Sequence, residues 1–187
     1  MLDRPGLAQQ AGFDGVEVLF PYDWPVKEWE TALAGLPVAL INTPPGDWVA
    51  GDRGFAAVPD HVARFQDSFL RAAEFAARVG AGRVHIMAGV AKGPLAEQTY
   101  LENLAWAAAQ APDLRLVVEP LNVDDMPGYF LNDFDQAGRI LDDLGLPQVG
   151  IQFDLWHAAR IHGDAEAVWS RHKSRISHIQ IAGFPTR

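Results

Sequence analysis

The stretch "RLVVEPLN", Arg115–Asn122, decides the fold. Its apolar run leads directly into Glu119, and Pro120 follows at once. A short, continuous apolar run of this kind is typical of a strand that is buried on both faces, as in a parallel sheet covered by helices. The sequence therefore predicts a buried strand with a carboxylate at its far end.

Two later stretches repeat this arrangement. "GIQFDLWH" (150–157) carries Asp154, and "ISHIQIAG" (176–183) carries Gln180. If all three stretches are parallel strands of one sheet, their polar side chains meet at the same edge. Such an edge is where enzymes with this architecture place their functional groups.

Short apolar runs alternate along the whole chain with longer segments of helical periodicity, which indicates an α/β fold with a parallel sheet. The predicted strands are 15–20, 38–44, 83–89, 114–122, 149–157 and 175–183. The predicted helices are 4–13, 26–35, 59–79, 95–110, 133–145 and 164–173, with Gly145 placed as a C-cap. No linker or low-complexity tract interrupts this pattern, so we expect one domain over residues 1–187.

The choice of architecture lies between a (β/α)8 TIM barrel and an open, doubly wound sheet. A doubly wound sheet usually has a glycine-rich phosphate loop after its first strand, and none follows residue 20. The barrel is therefore favoured. A complete barrel has eight strands and about 250 residues. We expect an incomplete barrel with about six of the eight strands, in which the first and last strands are missing.

Composition and charge exclude several classes of function. The net charge is −9 and no basic stripe is present, which argues against a nucleic-acid partner. No apolar run reaches the roughly 18 residues of a transmembrane helix, and the first residues do not resemble a signal peptide. The sequence contains no cysteine, which excludes disulfides and thiolate metal sites and is in keeping with a cytoplasmic location.

The strand ends predict a divalent metal site. Two carboxylates, Glu119 and Asp154, and the amide oxygen of Gln180 form an oxygen-rich set that suits Mg²⁺ or Mn²⁺. A metal ion would also explain why charged groups follow buried strands. The alternative is that each carboxylate is satisfied by arginine or backbone donors alone.

Histidines and one further glutamate lie close to these strand ends. His157 follows Asp154 by three residues, and on a strand that leaves the barrel it would reach a substrate hydroxyl. His178 shares strand parity with Gln180, so both side chains are predicted to face the interior. Glu17, in the middle of the first predicted strand, is also expected to point inward. The alternative for His157 is an ordinary loop histidine that is hydrogen-bonded to backbone, and the alternative for His178 is a structural role in the packed interior.

Five segments together resemble the hydroxypyruvate isomerase family, whose members are xylose-isomerase-like TIM barrels. These segments are "GFDGVEVLFPYDW" (12–24), "NTPPGDWVAGDRG" (42–54), "VEPLNVDDMPGYFL" (118–131), "IQFDLWH" (151–157) and "HIQIAGFPTR" (178–187). The resemblance follows the chain in order over nearly its whole length.

The resemblance implies roles for individual residues. Glu119, Asp154 and Gln180 would occupy three of the family's four metal-ligand positions, and Glu119 would also be one of its two acid/base glutamates. His157 and Arg187 would match substrate-contacting positions. Asn42 and Trp48 lie in the matching segments and are further candidates for contact with the substrate. The family's fourth ligand, a glutamate on the last strand and the second acid/base group, has no counterpart before residue 187.

The implied reaction interconverts hydroxypyruvate and tartronate semialdehyde through an enediolate, so the expected partner is a small hydroxy-keto acid. A divalent ion would acidify the C–H bond, and carboxylates would move the proton. The alternatives are a 2-oxo-tetronate isomerase of the same family and a catalytically silent fragment. A sugar epimerase or apurinic endonuclease of the same superfamily is disfavoured by Gln180 and by the acidic charge. Membrane association is not expected, and a homo-oligomer stays open.

Overall fold

Six parallel β-strands form the framework of the computed structural model, which describes residues 1–183. The strands lie in one sheet in chain order from β1 to β6. Their bounds are Val16–Val18 (β1), Val38–Asn42 (β2), Arg83–His85 (β3), Arg115–Val118 (β4), Val149–Asp154 (β5) and Ile176–Gln180 (β6).

Helices connect the strands and cover the outside of the sheet. They are Arg4–Gln10 (α1), Val26–Leu33 (α2), Val62–Val79 (α3), Pro94–Gln110 (α4), Phe134–Leu144 (α5), Leu155–His162 (α6) and Ala165–His172 (α7). Short 3₁₀-helices lie at Pro21–Asp23 and Pro59–His61. The second of these forms the start of the predicted helix 59–79, whose α-helical part begins only at Val62.

The sheet is strongly curled. In a flat sheet, six strands spaced about 4.8 Å apart would separate the two edge strands by about 24 Å. Here Glu17 of β1 and His178 of β6 approach to 2.6 Å between carboxylate oxygen and ring nitrogen. The side chains of the two edge strands therefore meet across the interior. This confirms the predicted fold class, an α/β sheet of TIM-barrel type with six strands among the described residues.

The apolar core lies between the sheet and its helices. Strand residues such as Ile41, Val84 and Leu116 are completely buried. They belong to one cluster with the apolar face of α3, which includes Phe65 and Phe69. The strand side chains of opposite parity point into the barrel interior, where the polar groups are found.

Capping residues define the bounds of α5, the helix that precedes β5. The Asp133 carboxylate accepts a hydrogen bond from the Gln136 N–H at 2.8 Å, as an N-cap should. At the other end Gly145 adopts a left-handed conformation with φ of +63°, and its N–H binds the Leu141 carbonyl. The predicted C-cap at Gly145 is thus confirmed.

The predicted strand 149–157 is wrong over its last three residues. β5 ends at Asp154, and α6 begins with Leu155. The Asp154 side chain accepts a hydrogen bond from the Trp156 N–H and so caps the new helix. His157 therefore lies in the first turn of a helix and not on a strand that leaves the barrel. A carboxylate that ends a strand and caps the next helix explains the abrupt change of direction.

Candidate functional site

Two buried carboxylates face each other at the carboxyl ends of adjacent strands. Glu119 directly follows β4 and is 6% exposed, and Asp154 ends β5 and is fully buried. β4 and β5 pair in parallel, which brings the two ends to one edge of the sheet. Together with His157 they offer three potential ligand atoms within 4.8 Å of one another. The structure thus brings together two of the three predicted metal ligands, and places a histidine with them.

Each oxygen of the Asp154 carboxylate has a different neighbour. Oδ1 accepts the hydrogen bond from the Trp156 N–H at 2.8 Å. Oδ2 lies 3.8 Å from His157 Nε2. One oxygen therefore fixes the side chain at the start of α6, and this bond orients the other oxygen toward the site.

The hydrogen bonds of His157 fix which of its ring nitrogens faces the carboxylates as a donor. Nδ1 accepts the backbone N–H of Asn122 at 3.1 Å. In a neutral ring the proton then resides on Nε2, which lies 3.9 Å from Glu119 Oε1 and 3.8 Å from Asp154 Oδ2. A protonated nitrogen has no lone pair for a metal ion. His157 is therefore oriented as a hydrogen-bond donor into the site and not as a metal ligand.

A short polar network holds this orientation. The Asn122 side-chain amide and the Trp156 indole N–H each lie 2.8 Å from Asp125 Oδ2. These hydrogen bonds lower the pKa of Asp125. The network ties the loop after β4 to the first turn of α6. Sequence reasoning missed it, although asparagine and aspartate are residues that favour turns.

Gln180 lies beside Asp154, since the Cα atoms of the two residues are paired in the β5–β6 register. Its side-chain oxygen accepts a hydrogen bond from Gln152 at 2.9 Å. Its amide nitrogen donates to Glu17 Oε2 at 2.6 Å. The amide oxygen keeps a second lone pair. The role of Gln180 as a metal ligand stays a prediction.

Glu17 faces the interior, as predicted, and joins the two edge strands. Burial alone would raise the pKa of Glu17, but the hydrogen bonds from His178 and Gln180 outweigh this effect and lower it. Glu17 is therefore an anion whose partners are fixed. His178 takes part in this bridge and thus has the structural role that the sequence left as an alternative.

His85 and Tyr129 lie next to Glu119 and were not identified as site residues from the sequence. His85 Nδ1 is 3.6 Å from Glu119 Oε2, and the ring is fully buried. Burial, with a smaller contribution from the nearby His157, lowers the pKa of His85 to about 3. Burial also raises the pKa of Tyr129, and the charge of Glu119 adds to this increase. Both side chains are therefore neutral at ordinary pH.

The predicted substrate contacts have different surroundings. Asn42 ends β2, is 6% exposed, and pairs in register with His85. Trp48 lies in the loop after β2 and is 42% exposed. The Arg53 guanidinium carbon lies 3.7 Å from the centroid of the Trp48 ring, and the centroid of the Phe20 ring lies 5.9 Å from it. Arg187 lies outside the described residues.

The donor set fits a divalent cation. Two carboxylates that share a buried pocket repel each other, and a cation between them would offset both charges. Glu119 and Asp154 offer hard oxygen donors, which Mg²⁺ and Mn²⁺ prefer, and Gln180 is paired with Asp154 in the β5–β6 register. The buried Glu–Asp–His group could therefore hold a metal ion, with the histidine as a hydrogen-bond donor beside it.

The sequence of the chain matches a family model over residues 5–187, and that model describes the xylose isomerase-like TIM barrel. The chain belongs to this family. It is 43% identical to the 2-oxo-tetronate isomerase of Cupriavidus necator, with 100% of the chain aligned to 75% of that protein. It is 37% identical to the hydroxypyruvate isomerase of Escherichia coli, with 96% of the chain aligned to 73% of that protein. The chain thus spans about three quarters of the length of these relatives.

Among solved structures, the fold matches a crystal structure described as AP endonuclease, family 2, from Brucella melitensis. The TM-score is 0.95 at 37% sequence identity, over 100% of this chain and 75% of the other. Both curated relatives are named as isomerases, which supports an isomerase of this family. Within residues 1–183, none of the helices has the length and apolar character needed to span a bilayer.

Proposed function

We propose that the chain is an isomerase of short 2-keto acids that carry a hydroxyl group on the neighbouring carbon, with hydroxypyruvate and tartronate semialdehyde as its substrate pair. The observation that carries this proposal is the buried Glu119–Asp154 pair with His157 Nε2 at 3.9 Å from Glu119 Oε1 and 3.8 Å from Asp154 Oδ2. Such a site combines a base, a place for a cation and a donor for a substrate oxygen.

A divalent ion would be held by Glu119, Asp154 and Gln180. When bound, Mg²⁺ or Mn²⁺ would polarise the adjacent carbonyl and hydroxyl oxygens of the substrate and so acidify the C–H bond between them. The same ion would neutralise the carboxylates, which explains why they lie in a buried place.

The chain's own residues would then move the proton. Glu119 takes a proton from C3 of hydroxypyruvate, which leaves an enediolate, and the protonated Glu119 then gives a proton to C2 and returns to the carboxylate. The hydroxyl proton on the C3 oxygen is transferred to the C2 oxygen, so that atoms balance. His157 donates Nε2–H to the substrate oxygen that gains negative charge. Arg187 is proposed to hold the substrate carboxylate in a bidentate pair.

A second substrate pair is supported by the comparison with Cupriavidus necator. The 43% identical relative is named for 2-oxo-tetronate, a longer acid with the same hydroxy-keto end. The chemistry at Glu119 would be identical, and only the far end of the substrate would differ. The net charge of −9 argues against a nuclease activity of the kind named for the Brucella melitensis structure.

The proposal is tested by deuterium exchange at C3 of hydroxypyruvate in D₂O with Mn²⁺, followed by NMR, together with formation of the aldehyde. Exchange reports proton removal alone, so it isolates the step assigned to Glu119. We expect Glu119→Gln to lower the exchange rate by at least about 100-fold. Glu97→Gln, the same substitution on the surface of α4, is the matched control and should leave the rate unchanged.

Equal exchange rates in Glu119→Gln and the wild-type chain would remove Glu119 from the mechanism. Parallel assays with a 2-oxo-tetronate distinguish the two substrate pairs through kcat/KM. Absence of exchange with both acids would favour the catalytically silent alternative.

A further inference from the structure

His85 is a buried polar side chain that packing does not explain. It ends β3, is fully buried, and lies between the apolar residues Val84 and Ile86. Neither ring nitrogen makes a hydrogen bond to any group within residues 1–183. An unsatisfied buried polar group lowers stability, and a leucine of similar volume would avoid this cost. A histidine at this position therefore calls for a role other than filling space.

The surroundings of His85 direct one ring nitrogen toward the proposed base. Nδ1 lies 3.6 Å from Glu119 Oε2, while His157 Nε2 lies 3.9 Å from Glu119 Oε1. The carboxylate is thus flanked by an imidazole at each oxygen. A neutral imidazole carries a single N–H, on one of its two ring nitrogens. A neighbouring carboxylate favours the tautomer in which that proton lies on Nδ1.

We propose that His85 is a positioning residue, which donates Nδ1–H to Glu119 Oε2 and keeps the carboxylate directed toward Asp154 and His157. This inference rests on the proposed function, in which Glu119 is the base. Catalytic hydrogen bonds are often long until the reacting complex forms, so the 3.6 Å separation agrees with this role. Loss of a hydrogen-bond donor that positions a base lowers activity, because the base then samples unproductive orientations.

Three substitutions at residue 85 separate the role of Nδ1 from a packing role. His85→Leu removes the donor and keeps the volume. His85→Asn places an amide N–H near the position of Nδ1, whereas His85→Gln places it near the position of Nε2. We expect His85→Leu to lower kcat for proton exchange by roughly 10- to 100-fold, with KM and Mn²⁺ affinity changed by less than about threefold. His85→Asn should recover most of the rate, and His85→Gln should not.

Thermal unfolding of the same variants distinguishes a positioning role from a packing role, because the two roles predict different changes in melting temperature. A structural histidine would lose stability on replacement by leucine. The 3.6 Å separation is too long for a hydrogen bond in the free chain, so the proposal predicts an equal or higher melting temperature for His85→Leu, which removes a buried polar group that has no hydrogen bond there. An unchanged kcat in His85→Leu, or equal rates in the asparagine and glutamine variants, would overturn the proposal.

The tautomer of His85 can be measured without turnover. Long-range ¹H–¹⁵N NMR correlations of the metal-free wild-type chain should show a neutral ring protonated on Nδ1. A ring protonated on Nε2 would contradict the proposed hydrogen bond. Because this spectrum needs neither substrate nor metal, it tests His85 even if the isomerase assay finds no activity, and the two failures remain distinguishable.

Discussion

Tyr129→Phe is predicted to lower the free energy of unfolding by about 1–3 kcal/mol, because it leaves a buried backbone N–H without an acceptor. The Tyr129 hydroxyl accepts the Ala88 N–H at 2.8 Å, and the Tyr129 side chain is 1% exposed. This bond joins the loop after β4 to the segment that follows β3. The phenylalanine keeps the ring and its packing, so that the change isolates the hydrogen bond.

A second buried tyrosine is the matched control. Tyr100 is fully buried on α4, and its hydroxyl has no hydrogen-bond partner among the described residues. Tyr100→Phe removes a polar group that gains nothing from the folded chain. We therefore expect its free energy of unfolding to be unchanged or higher by less than about 1 kcal/mol.

Guanidinium unfolding followed by circular dichroism measures both variants against the wild-type chain. A change in the midpoint with an unchanged m-value reports a change in stability alone. The reasoning is refuted if the two tyrosine variants lose similar amounts of stability, or if Tyr100→Phe loses more than Tyr129→Phe. Either result would mean that the hydrogen-bond partners of these hydroxyl groups differ from those described above.

Substitutions at three further positions test packing, capping and the site. Gly138→Ala should lower the free energy of unfolding by about 1–3 kcal/mol in thermal or chemical unfolding, because its Cβ would lie 2.9 Å from the His172 ring. Asp133→Ala should cost about 1 kcal/mol by removing the N-cap of α5, and Asp133→Asn should restore most of it in the same unfolding assay. His157→Gln keeps a donor near the position of Nε2, so it should retain more proton exchange at C3 than His157→Leu; equal rates would exclude a donor role.

Much of the fold follows from local patterns in the sequence. The apolar run before Glu119 predicted a buried strand, and the structure has Leu116–Val118 fully buried in β4. The strand ends at Glu119 and Asp154 were predicted to meet, since the carboxyl ends of adjacent parallel strands share an edge. These inferences needed only periodicity and the geometry of parallel sheets.

Other features depend on contacts that local patterns do not encode. The apolar character of Leu155 and Trp156 continues that of β5, so the predicted strand ran on to His157. The change to a helix depends on the Asp154 cap, which sequence reasoning treated only as a metal ligand. The orientation of His157 depends on Asn122, which lies 35 residues away along the chain.

The contact that brings the two edge strands together illustrates the same limit. Glu17 and His178 are 161 residues apart in sequence. The sequence predicted that both would point inward, but not that they would bind each other. Only the curvature of the sheet decides which interior side chains become partners.

The central claim is that Asp154 and Glu119 hold a divalent cation, and Mn²⁺ titration tests it most directly. Asp154→Asn removes the charge but keeps an oxygen that can cap α6. Asp164→Asn makes the same change at the N-cap of α7, where the Asp164 carboxylate accepts the Ala167 N–H at 2.9 Å, and serves as the control. Calorimetry should show Mn²⁺ binding to the wild-type chain and to Asp164→Asn with equal affinity, and binding weakened by at least about tenfold in Asp154→Asn. Equal Mn²⁺ affinity in all three chains would contradict the account.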